Sequence, residues 1–396
     1  MTARPFDRGA GPDSHRARPR TAARPDQAAR TRIVEAHAEN LLVEAGAGTG
    51  KTKELVDRVV AMVSSGHLES VRNLAAITFT ENAATELRTR TREALEDAVA
   101  RSPAGGAGDG GGGAANVQRE RCRRALEELD DAAITTLHGF AARLLTDAPV
   151  EAGLPPGFRV QDAVRTSTER DQWWRSRLDD WYADPSLAEV WRVGLTLDLT
   201  PTVLRDVLVA FDSNWDLLVD RPVPVRPLPA LDPERWLVPL RALLDYAGGR
   251  GPENDTLTYR VDEVVAPLLR EVAAETDPLQ ALAVFRDVRL RDCGNAAAWK
   301  AVGLDKATAC GFLEEARGHR DAVLTDCRVA VTTALAERLR QAALEHAGQR
   351  RDRGEVWFHD LLVHAVRLLR DDAGVRAAVR ARWQAVCVDE FQDTDP

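Results

Sequence analysis

Two short segments near opposite ends of the chain carry residue types that can do chemistry together. Ala45-Gly46-Ala47-Gly48-Thr49-Gly50-Lys51-Thr52 is a glycine-rich stretch closed by Lys-Thr. Glycines at alternate positions let the backbone turn with its N–H groups inward, and such donors at a helix N-terminus favour phosphate oxygens. In that setting Lys51 reaches the β- and γ-phosphates of a nucleoside triphosphate, and the Thr52 hydroxyl ligates Mg2+. The bland alternative is a plain glycine turn. Against it, Lys-Thr stands at the required spacing, and only four of the chain's 53 basic residues are lysines (51, 53, 300 and 306). Ala45 replaces the glycine of the simplest pattern, which is tolerable where φ is negative.

The second segment is Asp389-Glu390, directly after the apolar run Ala385-Val386-Cys387-Val388. Adjacent acids on a surface are common and mean little. After a buried strand of a parallel sheet they stand where ligands gather. Asp389 is then a candidate magnesium ligand, through water, and Glu390 a candidate acceptor for the proton of an attacking water. Elements must hold these groups. Leu41–Glu44 predicts a short buried strand and Lys53–Val60 a helix, which is the strand–loop–helix context a phosphate loop requires.

At this point the chain resembles the UvrD/RecB family of superfamily 1 DNA helicases, most closely its RecB/AddA-like branch. Asp389-Glu390-Phe391-Gln392-Asp393-Thr394 matches the family's acidic motif letter for letter. Pro25-Asp26-Gln27-Ala28 stands where the family carries an adenine-reading glutamine, making Gln27 the candidate. Ala76–Arg88 looks like the next motif, a strand running into a helix, and Ile134–Phe140 like the third. Trp357–Leu362 occupies the place of a similar run. Three positions depart: Asn82 stands for a usual lysine, Gly139 for a serine and His359 for an aspartate. The Asn82 change removes a positive charge from the expected DNA track. The resemblance covers residues 23–147 and 350–396 by motif, and rests on position alone between them.

The resemblance implies an α/β fold: a RecA-like parallel sheet with a P-loop and a mostly helical inserted subdomain, incomplete at the C-terminus. The expected divisions are a disordered basic tail at 1–22, a first motor segment at 23–148, a helical insert at 149–329 and a second motor segment at 330–396. It implies ATP and Mg2+ as cofactors, Lys51, Asp389 and Glu390 as catalytic groups, and Gln27 with residues 45–52 as the nucleotide contacts. Single-stranded DNA is expected along Phe79, Thr80, Asn82, Thr136 and His138, whose hydroxyls and imidazole can meet phosphates or sugars without reading sequence. Phe79 and Phe140 each have a base-stacking and a core reading; Phe140 favours core and Phe79 is balanced. A second helicase–nuclease subunit is an implied partner, and 3′-to-5′ movement in recombination and repair an implied role. The family's second motor domain supplies arginines worth about 10³–10⁵ in turnover in comparable hydrolases. Residues 1–396 have room for the first domain and its insert only, and the family's next motif would lie on a strand between the loop strand and the acidic strand. The expectation is therefore an N-terminal fragment with an unfinished sheet, inactive in unwinding. The rival expectation is a non-catalytic ATP- or DNA-binding remnant or regulator.

Composition constrains the rest. A chain of 396 residues suggests two or three domains. The net charge of −9 does not advertise a nucleic-acid binder, although positive charge can be confined to one groove. Five scattered cysteines (122, 293, 310, 327 and 387) lack metal-type pairing and suggest a reducing compartment. With no signal peptide and no membrane-spanning run, the expected location is cytoplasmic. Gly105–Gly113 reads as a flexible loop and Arg119–Leu129 as a helix. Seven of the nine tryptophans fall between Trp173 and Trp299, and they read as core of a helical insert rather than as base-stacking platforms. A long helix is expected to end near Glu345.

Overall fold

The structure is a computed structural model, and it describes residues 26–46, 48–101, 112–291 and 293–393. In chain order the helices are α1 (Gln27–Glu35), α2 (Lys51–Ser65), α3 (Glu81–Arg101), α4 (Gly112–Glu128), α5 (Leu137–Asp147), α6 (Ala163–Ala183), α7 (Ala188–Thr196) and α8 (Pro201–Ser213). They continue with α9 (Pro233–Ala247), α10 (Thr256–Arg260), α11 (Ala266–Ala274), α12 (Pro278–Arg286), α13 (Ala296–Ala301), α14 (Lys306–Arg353), α15 (Phe358–Asp371) and α16 (Ala373–Arg382). The strands are β1 (Leu74–Thr78), β2 (Ala133–Thr136), β3 (Arg159–Val160), β4 (Glu355–Val356) and β5 (Ala385–Val388). The chain forms two compact units: residues to Leu144 together with Leu369 onward, and Leu145–Leu368.

The first unit is built on a parallel sheet in the order β2-β1-β5. Register pairs Thr78 with Thr136 on one side of β1 and Ile77 with Val388 on the other. Every residue of β1 is buried, as befits a central strand whose two faces are both covered. Helix α2 packs there through Val56, Val59, Met62 and Val63, apolar positions spaced to form one stripe. Its ends are set by glycines. Gly50 precedes it at φ 94° and Gly66 follows it at φ 80°, the left-handed region that glycine enters without a Cβ penalty. Leu74, Leu87, Leu95, Leu129 and Ile134 complete the core at 1% exposure or less. Each contributes about 1.5–3 kcal/mol by leaving water.

The strand expected at Leu41–Glu44 does not form. Residues 41–46 have no regular structure, and Leu42 and Val43 are 76% and 41% exposed. An apolar run becomes a strand only where a neighbour accepts its backbone hydrogen bonds. The outer face of β5 likewise leaves Val386 and Val388 57% and 40% exposed. The Gly105–Gly113 loop lies largely outside the described residues, but Gly112 and Gly113 already belong to α4. The 1–22 tail is also outside them.

The second unit is helical apart from a two-residue parallel pairing of β3 with β4. Its spine is the 48-residue α14, about 70 Å long at 1.5 Å per residue. Asp305 caps its start by accepting from the Ala307 and Thr308 amides, and Gly354 closes it at φ 70°. Arg350, Arg351 and Arg353 in the last turn suit the negative end of the helix dipole, which carries the helix eight residues past the expected Glu345. The expected division at 329–330 therefore falls inside one continuous helix. The tryptophans are core: Trp174, Trp181, Trp191, Trp215, Trp236 and Trp299 are all buried. Among the described residues, no helix is long and apolar enough to cross a membrane.

Candidate nucleotide site

The loop before α2 takes the shape its glycines predict. Gly48 and Gly50 sit at φ 74° and 94°, so a side chain at either would be strained. The Thr49 hydroxyl donates to the Gly46 carbonyl at 2.7 Å and closes the turn on itself. Lys51 folds back over the loop, with Nζ 3.3 Å from the Ala45 carbonyl and 3.6 Å from Glu390 Oε2. Ala47 lies outside the described residues.

The acidic segment arrives from the neighbouring strand. The Asp389 amide donates to the Ile77 carbonyl at 2.8 Å, extending the β1–β5 ladder by one step. This places the Asp389 carboxylate at the carboxyl end of the sheet, and Thr52 Oγ1 donates to Asp389 Oδ2 at 3.1 Å. Glu390 follows with φ 53°, a costly region for a non-glycine residue, so its backbone is over-determined by its surroundings. Its amide donates to Asp389 Oδ1 at 3.0 Å, and the Gln392 side-chain amide donates to its carboxylate. Phe391 is 59% exposed. Thr52 and Asp389 would be the residues to hold Mg2+, the hydroxyl directly and the carboxylate through water. Both side chains are only partly buried, so oxygen lone pairs remain to receive it.

The residues expected along DNA leave the same end of the sheet. Thr78 and Thr136 are register partners at the ends of β1 and β2. Phe79 is 42% exposed, and Thr80 and Asn82 are exposed beside it. The Thr80 hydroxyl also accepts from the Ala83 amide at 3.2 Å, capping α3. Thr136 is 6% exposed and spends its hydroxyl internally, donating to Glu81 at 3.0 Å and accepting from the Gly139 amide at 3.1 Å. His138 is half-buried at the start of α5. Phe140 packs edge-on against Trp383, with ring centroids 5.4 Å apart, in agreement with its core reading. Gln27 opens α1 and is exposed. The Gly139 departure has a local cause: a Cβ there would sit 2.2 Å from the Thr135 hydroxyl.

Sequence reasoning gives Asp360 no role beyond its place in a motif-like run. The structure makes it the hub of a buried network in the second unit. It accepts from Trp215 Nε1 at 2.8 Å, from the Trp357 amide at 3.0 Å and from Arg350 Nε and Nη2 at 3.2 and 3.1 Å. His359, which departs from the family aspartate, pairs with Asp216 at 2.7 Å. Arg30, likewise unremarked in the sequence, lies against the glycine-rich loop. Its spacing of four from Asp26 is the signal that could have found it.

Comparison with known proteins agrees with this geometry. The family model of the UvrD/REP helicase N-terminal domain matches residues 26–201 and 295–396. The chain is 40% identical to the A subunit of the ATP-dependent helicase/nuclease of Moorella thermoacetica, over 35% of this chain and 9% of that protein. It is 28% identical to the protein of the same name from Limosilactobacillus fermentum, over 59% of this chain and 16% of the relative. It is 25% identical to the one from Geobacillus thermodenitrificans, over 92% of this chain and 32% of the relative. The matched stretches thus span between about a tenth and a third of those relatives' lengths. With the family model covering well over half of its length, and with the glycine-rich loop and the acidic strand end meeting in one unit, this chain belongs to the UvrD/REP helicase N-terminal domain family.

Proposed function

We propose that the chain is the nucleotide-binding N-terminal part of an ATP-dependent DNA helicase that moves 3′ to 5′ on single strands in recombination and repair. The observation that carries the nucleotide reading is the 3.1 Å approach of Thr52 to Asp389, residues 337 apart in sequence. Thr52 and Asp389 would hold Mg2+ there, and the ion would supply charge neutralisation to the phosphates. In this reading the chain's own groups do the rest. The loop amides cradle phosphate oxygens, and Lys51 swings from Glu390 onto the phosphates. Gln27 contacts the adenine, and Glu390, released from Lys51, accepts the proton of the attacking water. Phe79, Thr80, Asn82 and His138 form the proposed single-strand track; Thr136, expected there from the sequence, is instead buried with its hydroxyl held by Glu81 and the Gly139 amide. The relatives are each named as one of the polypeptides of a helicase/nuclease, which supports a second, different polypeptide as partner.

In this proposal residues 1–396 on their own bind ATP, hydrolyse it very slowly and do not separate strands, because the transition-state arginines of this family's mechanism come from a second motor domain. Purified residues 1–396 and Lys51→Ala are compared by fluorescent-ATP binding, ATPase and strand-separation assays. Magnesium-dependent binding that Lys51→Ala loses is the expected result. Robust DNA-stimulated turnover, lost in Lys51→Ala, would overturn the proposed inactivity. Parent protein that ignores ATP would overturn the nucleotide reading and favour a DNA-binding regulator.

A further inference from the structure

Helices α1 and α2 hold each other through two arginines that point in opposite directions. From α2, Arg58 reaches back to the far end of α1 and donates to the carbonyls of Ile33, Ala36 and Glu39 at 2.6, 3.1 and 3.3 Å. From α1, Arg30 reaches forward to the loop end of α2. Its Nε donates to Asp26 at 2.8 Å, Nη1 to Glu54 in the first turn of α2, and Nη2 to the Thr49 carbonyl at 3.1 Å. A Cβ built on Gly50 would lie 3.8 Å from Arg30 Nη1, so the guanidinium packs directly beneath the last glycine of the loop. The Arg30 and Glu54 side chains are only 16% and 11% exposed, which limits the solvent screening of this pair.

The chemistry of the fork matters. A guanidinium can satisfy two carboxylates and a carbonyl at once because its donors lie in one rigid plane. Without it, the Thr49 carbonyl loses its side-chain partner, and Glu54 stays in the first turn of α2 as an unneutralised, mostly buried acid. The loop must present its amides to phosphate in one geometry, and two of its residues sit in the left-handed region where only local restraints hold them. Asp26, the other partner, adjoins Gln27, the proposed adenine contact.

Resting on the nucleotide-site reading above, we infer that Arg30 is a positioning residue of the phosphate loop, a strut that fixes the loop backbone through the Thr49 carbonyl and Glu54 and ties it to the helix carrying Gln27. Arg58 secures the other end of the same helix pair without touching the loop.

The test compares the parent with Arg30→Ala, Arg30→Lys and Arg58→Lys, by amide hydrogen exchange at Thr49–Thr52 without ligand, by ATP and inorganic triphosphate binding with Mg2+, and by thermal melting. Arg30→Ala is expected to speed exchange at the loop amides at least tenfold and to weaken ATP and triphosphate by a similar factor. Arg30→Lys keeps the charge but not the fork, and is expected to recover only part of either effect. Arg58→Lys is expected to lower the melting temperature while leaving loop exchange and ligand affinity near parental values. Loop exchange in Arg30→Ala equal to the parent would overturn the inference. So would losses in Arg30→Ala and Arg58→Lys that track melting temperature alike. A parent that binds no nucleotide overturns the proposed function instead, and the ligand-free exchange measurement still decides the role of Arg30.

Discussion

The two units use the same chemical parts, carboxylates facing cations, in opposite ways. In the second unit Arg350 lies between Asp212 and Asp360 with all three side chains 5% exposed or less. Asp360 is saturated by four donors, and the guanidinium carbon stands 3.7 Å over the Trp357 ring. Burial alone would raise the Asp212 carboxyl, but His346 and Arg350 outweigh it and hold it below the usual carboxylate range. In the first unit Lys51 and Glu390 are 25% and 41% exposed and 3.6 Å apart, and Asp389 receives one hydroxyl and one amide. A network whose charges are paired and closed to solvent gives a ligand no way in, although Asp212 Oδ2 and Trp357 Nε1 make no hydrogen bond there. A half-satisfied, wet one can exchange its internal partners for phosphate and metal. Solvent exposure, not charge count, separates the structural cluster from the candidate site.

The largest effect should come from breaking the dry network. Asp360→Ala leaves Arg350 without one of its two acids and frees Trp215 Nε1 and the Trp357 amide, which should cost about 3–5 kcal/mol in urea unfolding. An unchanged midpoint would show that the second unit does not depend on this hub. Lys51→Ala should do the reverse: about 1.5–3 kcal/mol of ATP affinity lost by titration, with stability within about 0.5 kcal/mol of the parent. A marked loss of stability there would erase the distinction between the two regions.

Asp389→Asn sharpens the comparison within the site. It should shrink the affinity gain that Mg2+ gives to ATP while sparing metal-free binding, as read by titration with and without EDTA. An intact magnesium response would place the cation elsewhere.

The smallest effect concerns Glu337, intermediate between the two regimes. Arg340 above all holds its carboxyl down to about 2, and the Val223 amide and Gln341 assist. A depressed carboxylate stabilises the fold above its ordinary value of 4.5, and that contribution disappears as pH falls through about 2. Glu337→Gln should therefore lower stability by about 1 kcal/mol at neutral pH, with the gap to the parent closing between pH 4.5 and 2. A gap that persists at pH 2 would mean the side chain acts by packing.

Much of the first unit is legible in the sequence because its signals are local. Gly48, Gly50, Lys51 and Thr52 specify a turn and a helix start by backbone rules that need no distant partner, and Asp389-Glu390 follows an apolar run whose composition suits a strand. Phe140 and the tryptophans between 173 and 299 read as core from their apolar bulk and helical surroundings, and they pack as core. The failures have a common physical form. Leu41–Glu44 has the composition of a strand, yet strand formation depends on a hydrogen-bonding neighbour that composition does not name. Helix α14 runs past its expected end because its stop is the left-handed Gly354, while the arginines before it favour continuation.

By itself the sequence determined the glycine-rich turn and the helical character of the long middle segment, since each rests on interactions within about a dozen residues. Only the tertiary structure decided that Thr52 and Asp389 meet at 3.1 Å, that Thr136 turns its hydroxyl to Glu81, that Asp360 gathers Arg350 and Trp215, and that Arg30 braces the loop. Those contacts join residues as far as 337 positions apart. Which polar group finds which partner is fixed by strand register and helix packing, where each buried donor must find an acceptor or bear the cost of going without.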